Sequence, residues 1–261
     1  MTHEHRGRRH GLPEPPGNAW KDESLVSGFV ERTSAHAAER RVLFDFVCDL
    51  FPFGTDARVR VLDIGAGYGA FTEAVLDHFL NATALGLEVS EPMMAVGHEH
   101  MARFGDRFSY HVGDFDYGEL PTDLAGPFDA VIASAAILHL SHDARRLYGG
   151  VFGLLNPGGC FFNVEPIAPP NEELETWYRE RRERQFLRND DRPGPRPEHS
   201  LMLHHDFESE DAFEQHQRHH HVETEADQLA FLRSAGFVHV DCFYKVLLDA
   251  VIGGYKPDRD R

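Results

Sequence analysis

The sequence predicts an α/β fold: a doubly wound, seven-stranded, mostly parallel sheet with a helical N-terminal cap and a helical lid insertion. Three observations point there. From Val59 onward, short apolar runs alternate with glycine-rich turns and helix-like segments, the rhythm of parallel strands joined by crossover helices. The sharpest of those turns, Asp63 to Gly69, follows a buried strand and opens a helix. Near the end, two strand-like runs are joined too closely for a crossover, so they must pair as an antiparallel hairpin.

Taken in order, residues 1–18 are rich in Pro, Gly and His and read as a disordered arm; they carry charge but no apolar h-region, unlike a secretory signal. Residues 19–261 form the folded domain. Within it, 19–54 is a helical cap, because Leu25, Phe29, Val42, Leu43, Phe46 and Val47 recur at helical spacing until Pro52 and Gly54 stop them. Strands follow at 60–64, 84–88, 108–112, 130–133 and 160–164, with helices at 70–80, 92–104 and 143–155. Residues 166–222 break the rhythm with an acidic-then-basic helix, a proline-rich turn and a His-rich stretch. That is too long for an ordinary loop and reads as a lid. A helix at 225–234, an Ala-Gly-Phe turn and strands at 238–244 and 247–252 complete the chain.

Composition narrows the function classes. The 261 residues suffice for one full-sized domain, and no apolar run nears the roughly 20 residues that cross a bilayer. A net charge of −17 disfavours broad contact with nucleic-acid phosphates and favours a small-molecule partner. The three cysteines, Cys48, Cys160 and Cys242, are odd in number and far apart. They suit reduced thiols in a cytoplasmic protein, with monomer and homodimer both open.

Glycines are required where a backbone turns tightly and must admit a ligand without a Cβ in the way; Gly65, Gly67 and Gly69 sit at such a turn, with Ala66 between them. Acidic residues close three successive predicted strands: Asp63 near the first, Glu88 at the second, Asp114 after the third. The carboxyl edge of an open α/β sheet is where ligands bind, and a carboxylate there can accept from ribose hydroxyls or an exocyclic amine.

With these residues the stretch from Val59 to Pro166 resembles the class I S-adenosylmethionine-dependent methyltransferases, a Rossmann-like fold. The resemblance implies that Asp63, Gly65, Ala66, Gly67 and Gly69 cradle the methionine and ribose of S-adenosyl-L-methionine. It puts the ribose on Glu88, with Val89 beside it. Asp114 would take the adenine amine and Phe115 would offer its backbone N–H. Met93 matches the apolar cover of the adenine, although Met93 and Met94 read equally as helix core. Ser134 ends the fourth strand, which in the family faces the methyl group. A dinucleotide dehydrogenase is the natural competitor. Its third glycine would fall one residue later, and it lacks the reversed terminal strand.

On the acceptor side, His139 and Glu165 are the candidate catalytic groups. His139 reads either as a base or acceptor contact, or as a residue that only orders its loop. Glu165 reads as an acceptor contact or a cap. Trp177, Tyr178 and Arg182 of the insertion form either an acceptor wall or a docking stripe with solvated arginines. His204 and His205 complete the candidate substrate contacts. The wider His-rich run matches no specific metal spacing, so no metal is assigned. Residues 202–207 with 222–237 also resemble the carboxy-S-adenosylmethionine synthases, but the arginine that a carboxylate would need has no match here. A tRNA-modifying enzyme and a non-catalytic S-adenosylmethionine-binding protein are the remaining alternatives.

Overall fold

A computed structural model describes residues 20–115, 117–140, 144–188 and 222–258. Seven strands form one sheet in the order β3-β2-β1-β4-β5-β7-β6. Strands β1 (Arg60–Ile64), β2 (Thr83–Glu88), β3 (Phe108–Val112), β4 (Phe128–Ser134) and β5 (Leu155–Pro166) are mutually parallel; β7 (Asp249–Tyr255) runs antiparallel to both β5 and β6 (Val238–Val246).

Each central strand is buried on both faces, which is why it reads as an apolar run rather than as an alternation. The pleat sorts those residues into two cores. Val61, Ala130, Ile132, Cys160 and Phe162 pack under helices α2 (Ala37–Asp49) and α3 (Ala70–His78). Leu62, Ile64, Val131, Ala133 and Phe161 face α5 (Arg145–Leu154) and α7 (Glu225–Ala235). The remaining helices are α1 (Glu23–Ala35), α4 (Glu91–His100) and α6 (Glu172–Arg188).

Several boundaries differ from the sequence reading, and three of them matter here. The N-terminal helical stretch breaks at His36, whose backbone leaves the helical region between α1 and α2. The fifth strand begins at Leu155, absorbing the Asn-Pro-Gly-Gly turn, because Phe128 pairs with Leu155 across a register shift before Ala130 meets Cys160. The hairpin strands also extend further, to Val246 and Tyr255. Among the described residues no helix is long and apolar enough to cross a membrane.

Strand order reverses between β1 and β4, since β1 leads outward to β2 on one side while β4 and β5 continue on the other. In doubly wound sheets that switch point opens a crevice at the carboxyl ends.

Candidate active site

The crevice holds a cavity with about 650 Å³ of open space, its mouth included. Its floor is the turn after β1. Gly65 and Gly67 adopt left-handed φ of 65° and 55°. A Cβ on Gly65 would collide with that of Ala136 and sit 3.4 Å from the Phe115 ring. The turn's backbone is tied down at several points: Gly65 and Ala66 donate to the Leu87 carbonyl at 2.9 and 3.1 Å, and the Tyr110 hydroxyl donates to the Gly67 carbonyl at 2.7 Å. Tyr110 fits because Gly97 has no side chain; a Cβ there would fall on the hydroxyl.

Glu88, at the end of β2, is buried. Its Oε2 accepts the Gly67 N–H at 2.8 Å, and its Oε1 accepts from Val89 at 2.9 Å and Ser90 at 2.8 Å. Burial raises its pKa, and those three N–H groups oppose the shift. The same carboxylate that faces the cavity therefore also shapes the glycine turn. Ser90 caps α4 by accepting the Met93 N–H at 3.1 Å. That cap aims Met93, which lines the cavity, while Met94 is buried in the helix core. Asp114 and Phe115 line the wall beyond β3.

The opposite wall follows β4. Ser134, Ala135 and Ala136 line it, and Ala135 holds a left-handed φ of 55°, an uncommon conformation for alanine. His139 ends the short turn Ile137–His139 and lines the same wall. Trp20 meets it edge-on at 5.6 Å between ring centroids and meets Phe29 at 5.2 Å. The Ser90 hydroxyl donates to the Trp20 carbonyl at 2.5 Å, joining the N-terminal segment to the end of β2.

Nine of the residues singled out from sequence line this cavity: Gly65, Gly67, Glu88, Val89, Met93, Asp114, Phe115, Ser134 and His139. Others lie elsewhere. Asp63 is buried behind the turn, accepting from the Thr72 hydroxyl at 2.7 Å. Gly69, the N-cap of α3, has no side chain to cap it, so Asp63 serves that helix N-terminus from the neighbouring strand through Thr72. Burial lifts the Asp63 carboxyl to about 7, against the hydrogen bonds from Thr72. The Ala66 methyl and Gly69 also lie outside the cavity lining, Gly69 packing against Met101.

Glu165 does not reach the cavity either. It is sealed beneath the His139 turn, accepting the Leu138 N–H at 2.9 Å and the Gln228 side-chain amide at 3.1 Å. Trp177 and Tyr178 pack against each other on α6 at 5.6 Å and stay off the cavity, with Trp177 48% exposed. The Arg182 side chain, His204, His205 and the rest of the His-rich run lie outside the described residues, as does the 202–207 part of the synthase-like resemblance. Among the described residues no His, Cys, Asp and Glu group could hold a metal.

Sequence reasoning missed Trp20, Phe29, Ala135 and Ala136. Phe29 reads only as part of the cap's apolar stripe, and nothing in the local sequence says which partner it or Trp20 will meet.

A glycine turn and carboxylates gathered at the switch point, beside a sheet closed by one reversed strand, define a class: a doubly wound scaffold with its crevice at the carboxyl ends of the strands. Residues 62–161 match the family described as a methyltransferase domain. The sheet around that match has the fold of the class I S-adenosylmethionine-dependent methyltransferases. It is 31% identical over 172 residues to a malonyl-[acyl-carrier protein] O-methyltransferase of Chlorobium phaeovibrioides, the match covering 61% of this chain and 57% of that protein. Among solved structures, an O-methyltransferase family protein from Burkholderia thailandensis superposes with a TM-score of 0.63 at 16% identity, covering 95% of this chain and 64% of that one. PigF with SAH gives 0.60 at 17%, covering 95% and 64%. The chain thus spans little more than half of that curated relative's length, and the structural likenesses speak for the fold.

Proposed function

We propose that this protein transfers a methyl group from S-adenosyl-L-methionine to a small-molecule acceptor by in-line displacement. One observation carries the reading: the cavity brings the bare turn at Gly65 and Gly67 together with the carboxylates of Glu88 and Asp114. A Cβ at Gly65 would strike Ala136, another residue of the lining, so the turn keeps a bare backbone beside the two carboxylates, and the residues present fit an adenosyl group. The fold's likeness to PigF with SAH supports the same cofactor.

When bound, S-adenosylmethionine supplies a methyl group on a sulfonium, which is already an activated leaving group. The chain's own work is then mainly positional. Glu88 holds the ribose hydroxyls, Asp114 and Phe115 hold the adenine edge, and Met93 covers its face. Ser134 to Ala136 and His139 bound the space where an acceptor meets the methyl, and Trp20 with Phe29 shields it from water. Alignment of this kind is worth up to about 7–11 kcal/mol. His139 contacts the acceptor, and takes its proton where the acceptor must lose one, which adds about 10²–10⁴-fold. The net charge of −17 supports a small acceptor over a nucleic acid. The name of the Chlorobium relative makes an acceptor oxygen the first class to try.

Calorimetry with S-adenosylhomocysteine, followed by transfer of labelled methyl to a panel of hydroxyl and carboxyl acceptors, tests the reading. A folded protein that takes up no S-adenosylhomocysteine at about 1 mM, the weak-binding limit, would refute it.

A further inference from the structure

Two buried carboxylates, Glu165 and Glu223, do not line the cavity, yet both grip the chain segment that forms its acceptor-side wall. Glu165 Oε2 accepts the N–H of Leu138, the residue before His139, at 2.9 Å. Its other oxygen accepts from Gln228 Nε2 at 3.1 Å, and Gln228 Oε1 accepts from the fully buried Tyr148 hydroxyl at 2.7 Å. At the far end of the same segment, Glu223 Oε1 accepts the Ala144 N–H at 2.7 Å. Ala144 is the N-cap of α5 and has no capping side chain of its own, so Glu223 supplies an acceptor oxygen to that helix terminus from another part of the chain.

Glu223 also marks the base of the insertion. Its carbonyl accepts the Ala168 N–H at 2.9 Å, and Ala168 and Thr224 form a parallel bridge. The two ends of the insertion are thus fastened together, and the fastening point holds the wall that carries His139.

Burying a carboxylate costs several kcal/mol unless good hydrogen bonds offset it. Simple packing gives no reason to keep two such acids here. What they share is the pair of backbone N–H groups that bound one segment. We infer that Glu165 and Glu223 are positioning residues: they set the place of His139 relative to the cavity and couple that wall to the base of the insertion. The inference rests on the cavity being the methyl-transfer site proposed above.

Hydrogen-exchange mass spectrometry of the full chain tests it. Glu165→Ala should speed exchange in peptides covering 136–147 by about tenfold or more, while peptides covering 60–90 and the affinity for S-adenosylhomocysteine stay within about twofold. Glu165→Gln keeps an oxygen for the Leu138 N–H and should restore protection. Trp20 emission, read in a Trp177→Phe background, should shift with Glu165→Ala and return with Glu165→Gln, because Trp20 touches His139. If Glu165→Ala does not fold, Gln228→Ala is read in the same way, since it removes the residue that steadies Glu165. Unchanged exchange at 136–147, an equal rise in every peptide, or a Gln variant that behaves like Ala overturns the inference. Failure of the wild type to take up S-adenosylhomocysteine would instead remove the cofactor reading and leave the exchange result standing.

Discussion

Replacing Glu88 by glutamine separates the two tasks of that side chain. A carboxylate has about four acceptor sites. Three are used by the N–H groups of Gly67, Val89 and Ser90, which leaves the remainder for a ligand hydroxyl. Glutamine keeps one oxygen and puts an NH₂ in place of the other. The less costly arrangement keeps the oxygen on Val89 and Ser90 and turns the NH₂ toward the Gly67 N–H and the cavity. That arrangement gives up the internal bond from Gly67, which lowers stability, and the charge-assisted part of the ribose contact, which lowers affinity. The ribose contact alone should cost about 1.5–3 kcal/mol of cofactor binding, or about 10- to 150-fold in Kd. Glu88→Ala should weaken binding comparably and also lower stability, because it strands all three N–H groups. Calorimetry with S-adenosylhomocysteine, paired with thermal melts, reads both. If the glutamine variant folds and binds within about threefold of wild type, Glu88 is not the ribose ligand, and the arithmetic for a charged contact fails with it.

Three further outcomes follow from the geometry. Burial lifts Glu165 and Asp63 to about 7, from ordinary values of 4.5 and 3.8. Each therefore holds its proton more tightly when folded. Their contribution to stability is complete below about pH 4 and is lost as pH rises to about 7, on the order of 3 kcal/mol for Glu165 and 4 kcal/mol for Asp63. Urea midpoints between about pH 5 and 8 should fall less steeply for Glu165→Gln than for wild type, and parallel curves would exclude Glu165 as a source of the slope. Gly97→Ala should cost about 1–3 kcal/mol by pushing the Tyr110 hydroxyl off the Gly67 carbonyl, and adding Tyr110→Phe should recover part of it; full additivity in the melts would count against the contact. Asp63→Asn should leave affinity for S-adenosylhomocysteine within about threefold, because Asp63 faces Thr72 rather than the cavity. A loss as large as that of Glu88→Gln would return Asp63 to the ligand.

How much of this could be read from residues alone depends on the range of each interaction. The succession from β1 to β5 was legible because a parallel strand covered on both faces must be a short apolar run, and a crossover must follow it. The left-handed turn at Gly65 and Gly67 was legible because few residue types tolerate it. The placement of Glu88 and Asp114 on one cavity also followed, since carboxyl ends of neighbouring parallel strands lie side by side. What adjacency cannot state is where a side chain points. Asp63 and Glu88 both close strands, yet one turns back to cap α3 and the other forward into the cavity; the pleat and the helix start decided between them. Met93 and Met94 are neighbours, and the Ser90 cap set which one faces the cavity. Trp20 is placed by a hydrogen bond to a residue 70 positions away, and Glu165 by Gln228, 63 positions away. The amino-acid order by itself determined the sheet, its turn and the edge of the sheet where the cavity opens. Which buried acids face the cavity and which serve the frame was decided only by packing, because their partners come from chain segments that meet nowhere but in the folded core.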